Sequence, residues 1–119
     1  VLQHTEPTEV RQVISEQTSE RCRSILEGVV KPPGTGKQAY VAGYRIGGKT
    51  GSSETEEKDH TIVSFLGFAP ADDPRVMALI TIDEPQGIYY GGTIAAPVIG
   101  ELFKNILPYM GIRPEPKAG

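Results

Sequence analysis

The sequence predicts an α+β fold: an antiparallel β-meander of about three long strands with two main helices. Three observations lead there. Two strongly apolar β-type runs, residues 61–69 and 76–82, are separated only by the turn Pro70-Ala71-Asp72-Asp73-Pro74 and Arg75. That linker is too short for a crossover helix, so the two strands must pair antiparallel. Apolar residues at helical spacing precede them (Cys22, Ile25, Leu26, Val29) and follow them (Val98, Ile99, Leu102, Phe103, Ile106, Leu107), each set marking one helix face.

Taken in order, residues 11–15 have the form of a short strand, and Thr18 or Ser19 offers an N-cap for the first helix. Cys22 belongs to that helix's apolar face, so it reads as a packed residue rather than a nucleophile. Pro32 and Pro33 end the helix. Residues 40–42 and 44–52 read as extended. Residues 51–60 contain no aliphatic or aromatic side chain, which makes them a solvated loop or hairpin tip, with Glu54, Glu56 and Glu57 a solvated acidic cluster. In the 61–69 strand Ile62, Leu66 and Phe68 share one face and Val63, Phe65 and Ala69 the other, so the strand is central, with apolar neighbours on both sides. Residues 84–92, with Pro85, Gly87, Gly91 and Gly92, read as a loop. Thr93 can cap the last helix, Pro97 suits its first turn, and Pro108 and Gly111 end it. Residues 113–119, rich in proline and charge, read as a disordered tail or linker after a unit spanning 1–112.

Composition narrows the function. The 119 residues carry 12 Lys+Arg and 15 Asp+Glu, a net charge of −3, which argues against a nucleic-acid partner. No apolar run approaches a membrane span. The single cysteine forms no internal disulfide, and two histidines with scattered carboxylates make no metal-ligand cluster, so neither metal nor cofactor is expected. His4 and His60 read as solvated. The 14 glycines and 10 prolines exceed average usage and imply many turns. The chain opens on Val1 rather than Met, as a piece of a longer protein would.

Residues 43–50, Gly-Tyr-Arg-Ile-Gly-Gly-Lys-Thr, match the phosphate-loop pattern G-x-x-x-x-G-K-[ST]. The pattern misleads. A phosphate loop works because a helix starts at its Lys-Thr and aims backbone N–H groups at the anion, whereas here Gly51-Ser52-Ser53 and a polar stretch follow. The alternative is a strand carrying Lys49-Thr50-Gly51-Ser52, and Lys-Thr-Gly is one motif of the penicillin-binding proteins and serine β-lactamases.

Beyond that tripeptide the chain resembles the C-terminal part of the transpeptidase domain of class B penicillin-binding proteins, including their sporulation-type members. The resemblance runs from about residue 11 to 112. It rests on Glu27-Gly28-Val29-Val30, Gly34-Thr35-Gly36-Lys37, the whole of 43–52, Ser64-Phe65-Leu66-Gly67-Phe68-Ala69-Pro70, Ile82-Asp83-Glu84-Pro85 and Tyr90-Gly91-Gly92-Thr93. It implies a partial penicillin-binding-protein/serine β-lactamase-like fold, completed upstream into a larger sheet. It also implies cross-linking of peptidoglycan stem peptides at D-Ala-D-Ala through an acyl-serine, with β-lactams as mimics. Lys49 would supply positive charge to the carboxylate pocket, and Thr50 and Ser52 hydroxyl donors. The Ser52 N–H would serve the oxyanion hole. Gly51 would let substrate approach, and Gly48 would keep the strand edge open. The substrate would lie along that edge as an added strand. The parent protein would be membrane-anchored on the extracytoplasmic face of the bacterial cell membrane, within a cell-wall synthesis complex.

Two features complicate the picture. Strand alternation puts Lys49 and Gly51 on one face and Thr50 and Ser52 on the other, so one ligand must meet them at the edge or the strand must twist. The chain also has neither Ser-x-x-Lys nor Ser-x-Asn: three residues after Ser15, Ser19, Ser24, Ser52, Ser53 and Ser64 stand Thr18, Cys22, Glu27, Thr55, Glu56 and Gly67. The chain alone is therefore expected to be inactive, and its uncovered apolar faces to drive self-association. A non-enzymatic peptide- or partner-binding module on the same scaffold is the alternative.

Overall fold

A computed structural model describes residues 2–54, 60–87 and 90–116. The elements in chain order are helix α1 (Glu16–Val30), a single 3-10 turn (Lys37–Ala39), strands β1 (Gly47–Glu54), β2 (Thr61–Ala69) and β3 (Val76–Asp83), a helical turn α2 (Gly91–Ile94) and helix α3 (Ala96–Tyr109). The strands form one antiparallel sheet in the order β1-β2-β3. Lys49 stands opposite Leu66, and Leu66 opposite Leu79. The expected α+β meander is thus present, with β2 in the centre.

The two faces of the sheet differ. Val63 and Phe65 of β2 are fully buried and share their face with Gly67. A Cβ on Gly67 would stand 2.7 Å from Ile99 and 3.1 Å from Phe103, so α3 lies against this face. Phe65, Ile99, Phe103 and Leu107 join Val30, Ile46 and several alanines in one core. The opposite face carries Lys49, Leu66 and Leu79. Its β3 residues Met77 and Leu79 are 69% and 58% exposed, far too open for a finished core face.

Several boundaries depart from the sequence expectations. No strand forms over 11–15; instead Ser15 is the N-cap of α1, its Oγ accepting from the Thr18 N–H at 3.2 Å. The predicted apolar face of α1 is buried only in part, at Leu26 and Val29, which are half-buried. Cys22 is exposed, Ile25 is 64% exposed, and the buried positions are Glu27 and Val30. Beside the apolar Val30 the helix buries a charged residue, because Glu27 finds the half-exposed Arg45 as a partner. Strand β1 runs on to Glu54, further into the predicted loop than expected, since backbone pairing with Thr61 needs no apolar side chain. Residues 55–59, with Glu56 and Glu57, lie outside the described residues. Thr93 sits within α2 rather than capping α3, and Pro108 lies inside the last turn of α3, which reaches Tyr109. Val98, predicted in the buried stripe of α3, is 45% exposed. After α3 the chain turns back: the Tyr44 hydroxyl donates to Ile112 O at 3.1 Å, and the Glu115 N–H to Gly43 O at 2.6 Å. Gly43 has φ 85°, and a Cβ there would meet Pro114 at 2.7 Å, so this contact requires glycine twice over.

Candidate active-site strand and cleft

Strand β1 forms one side of the candidate site because, among the described residues, it pairs only with β2 and leaves its other edge open. Lys49 and Thr50 do leave the strand on opposite faces, as alternation requires. The Lys49 side chain then folds back around the strand. Its Nζ donates to Thr50 O at 3.0 Å and to Thr50 Oγ1 at 3.1 Å. The ammonium and the hydroxyl therefore meet although their Cβ atoms point apart, and no local twist of β1 is needed.

Thr50 and Ser52 line a cleft of about 370 Å³. Its far wall is the segment from Pro33 to Gln38, including Thr35 and Lys37, and Tyr90, Gly91, Gly92 and Thr93 complete it. The walls are packed tightly behind the cleft. A Cβ on Gly92 would stand 2.1 Å from Thr35 O and 3.5 Å from the Thr50 methyl, and one on Gly91 2.6 Å from Ser64 O. Tyr90 is exposed at the rim, while Tyr89 lies outside the described residues.

The glycines of the motif have packing reasons of their own. A Cβ on Gly51 would lie 2.6 Å from Ser64 Oγ, so a side chain there would have to displace that hydroxyl. Gly48, expected to hold the edge open, is buried over the Phe65 ring, 2.7 Å from where its Cβ would be. The lysine-threonine pair sits inside a strand that continues to Glu54, which removes the geometry a phosphate loop needs, a helix starting at that pair. Of the histidines, His4 pairs with Glu6 at 2.8 Å on the surface, and His60 with Glu84.

Sequence reasoning missed a charged cluster at the base of β1. The Arg45 guanidinium grips the Glu27 carboxylate with two parallel hydrogen bonds, Nε to Oε1 at 3.0 Å and Nη2 to Oε2 at 2.9 Å. Lys31 Nζ adds a contact at 3.3 Å, and Arg45 Nη1 reaches Asp72 at 3.4 Å. The Arg45 hydrogen bonds hold Glu27 below its ordinary value of 4.5 against the opposing effect of burial, and Glu27 in turn raises Arg45. A carboxylate depressed in the fold contributes stability that is present above 4.5 and lost as pH falls below it through the native value. Glu27→Gln should therefore cost about 1–3 kcal/mol at neutral pH, a deficit that shrinks on acidification. Denaturation midpoints of both proteins across that range check this.

With this geometry in view, the comparisons are specific. Residues 3–107 match the family model for the penicillin-binding protein transpeptidase domain, and the chain belongs to that family. It is 46% identical over 114 residues to the stage V sporulation protein D of Bacillus subtilis, covering 91% of this chain and 18% of that protein. It is 36% identical over 111 residues to a probable peptidoglycan D,D-transpeptidase, PenA, of Neisseria meningitidis, covering 87% of this chain and 19% of that protein. The transpeptidase domain of penicillin-binding protein 3 from Burkholderia pseudomallei superposes with TM-score 0.79 at 33% identity, over 92% of this chain and 35% of that one. The chain thus spans less than a fifth of the curated relatives' length.

Proposed function

We propose that this chain is the C-terminal part of a peptidoglycan D,D-transpeptidase domain and supplies the substrate-binding strand of its active site. The observation that carries this is the meeting of the Lys49 ammonium and the Thr50 hydroxyl at 3.1 Å on β1, a strand with one edge open and a cleft along one face. A cation beside a hydroxyl is a receptor for a carboxylate, and an unpaired strand edge is a receptor for an extended peptide. A stem peptide ending in D-Ala-D-Ala offers both, and a β-lactam presents the same carboxylate. In this reading Lys49 and Thr50 hold the carboxylate, with Ser52 adding a second hydroxyl. The Ser52 N–H contributes to the oxyanion hole, where fixed donors act on charge that develops during acyl transfer.

The nucleophilic serine and its lysine belong to the rest of the parent protein, which the same reading anchors at the extracytoplasmic face of the membrane within a cell-wall synthesis complex. No helix among the described residues is long and apolar enough to cross a membrane. The open Met77 and Leu79 face is where the remaining domain would pack, and where the chain by itself would self-associate.

A fluorescent penicillin tests the reading directly. The full-length parent should be labelled covalently, and the isolated 119-residue chain should not. Lys49→Ala in the parent should slow acylation by about 100-fold or more, the scale on which a fixed electrostatic partner is lost. Labelling of the isolated chain, or a wild-type rate in Lys49→Ala, would sink it.

A further inference from the structure

We infer that Glu27 and Arg45 are positioning residues that set the width of the cleft and the placement of the Lys49 ammonium. The inference rests on the reading of β1 as the substrate-binding strand.

The need for a clamp comes from β1 itself. Among the described residues it is hydrogen-bonded along one edge only, to β2. The two residues before Lys49 are Gly47 and Gly48, which pair with Phe68 and Gly67 through backbone alone and have no side chains to anchor the strand. Ile46 is buried in the core, and a hydrophobic contact is non-directional. Arg45 is therefore the last side chain before Lys49 that can fix an orientation. Its planar fork does so, because two parallel hydrogen bonds to one carboxylate allow little rotation. Its backbone is held too: Arg45 O accepts from the Ala71 N–H at 2.8 Å.

The partner carboxylate extends the effect to the other wall. Glu27 lies near the end of α1, where the helix passes directly into the segment that faces Thr50. The Gly36 N–H donates to Val29 O at 2.9 Å, and a Cβ on Gly34 would stand 2.1 Å from the same oxygen. That wall is thus packed on the last turn of α1, two residues beyond Glu27. One ion pair links the base of the substrate strand to the helix that carries the opposite wall. The Glu27 side chain is 5% exposed, so it has little water to turn to if Arg45 is removed.

The test uses the full-length parent protein carrying Glu27→Gln or Arg45→Lys. Arg45→Lys keeps the positive charge and loses the fork, and serves if Glu27→Gln fails to fold. The acylation rate by fluorescent penicillin is measured per folded molecule, with the folded fraction taken from circular dichroism well below each variant's melting temperature. A clamp predicts a rate about ten- to a hundred-fold lower in the folded variants, the cost of a small misplacement of reacting groups. Lys104→Ala, an exposed cation on α3, controls for loss of charge and should keep the wild-type rate. If the variants melt lower but acylate at the wild-type rate per folded molecule, the pair only stabilises the fold and the inference is overturned. If wild-type parent is not acylated, the reading of β1 falls first, and this inference with it.

Discussion

Phe65→Ala should destabilise the transpeptidase domain by about 3–5 kcal/mol, the range for truncating a large buried aromatic residue. Phe65 is fully buried at the centre of the middle strand. Its ring lies beneath two glycines at once: a Cβ would stand 2.8 Å from it at Gly36 and 2.7 Å from it at Gly48. Gly36 belongs to the wall opposite Thr50, and Gly48 to β1. The ring is thus the floor on which both sides of the cleft rest, and the cavity left by alanine would open beneath both. Equilibrium denaturation of the parent domain measures the loss. A cost below 1 kcal/mol would mean that the ring is not the shared floor. Acylation should also slow, because collapse into the cavity would move β1 and the opposite wall.

Gly92→Val should close the cleft. At this position a Cβ would stand 2.1 Å from Thr35 O, far inside contact distance, and the obstacle is backbone rather than a side chain that could swing away. Relief requires the 33–38 segment or α2 to move as a unit, and overpacking of this kind costs about 1–3 kcal/mol. The larger effect is on function, since the Thr50 methyl already lies in van der Waals contact, 3.5 Å from that Cβ, and the valine methyls reach further. The folded variant should acylate at least about ten-fold more slowly, the penalty for displaced binding groups. Stopped-flow labelling alongside a melting curve separates the two effects. A variant with wild-type acylation would show that the two walls are not coupled at Gly92.

Strands β2 and β3 were legible to within a residue, for a physical reason. β2 has apolar side chains on both faces and β3 is apolar from Val76 to Ile82 except at Thr81, and the short linker between them permits one pairing only. The last helix was legible in its stripe, where Ile99, Phe103 and Leu107 are fully buried. The first helix was not. Of its apolar positions Leu26 and Val29 are half-buried but Cys22 and Ile25 are exposed, and the buried positions are Val30 and Glu27, whose partner Arg45 lies 18 residues away across a loop. Periodicity ranks residues by hydrophobicity and has no means to register that a carboxylate will find a guanidinium. The Lys49–Thr50 contact was hidden for a related reason. Alternation describes where Cβ atoms point, and a lysine side chain is long enough to return around its own strand.

The open edge of β1 has a consequence for how the protein avoids sticking to itself. Sheet edges are ordinarily protected by covering them, bending them away or inserting proline, and each remedy would also exclude a substrate that must dock there. Under the proposed function, β1 is left to defend itself through composition. Its sequence Gly-Gly-Lys-Thr-Gly-Ser-Ser-Glu contains three glycines and no large apolar residue, a poor strand former. Two such strands gain little by pairing, and in a parallel, in-register pair their lysines would face each other as like charges. A peptide ending in a carboxylate meets neither obstacle, because it brings the opposite charge to Lys49. The glycine-rich strand thus doubles as a filter that discourages copies of itself while remaining available to its ligand.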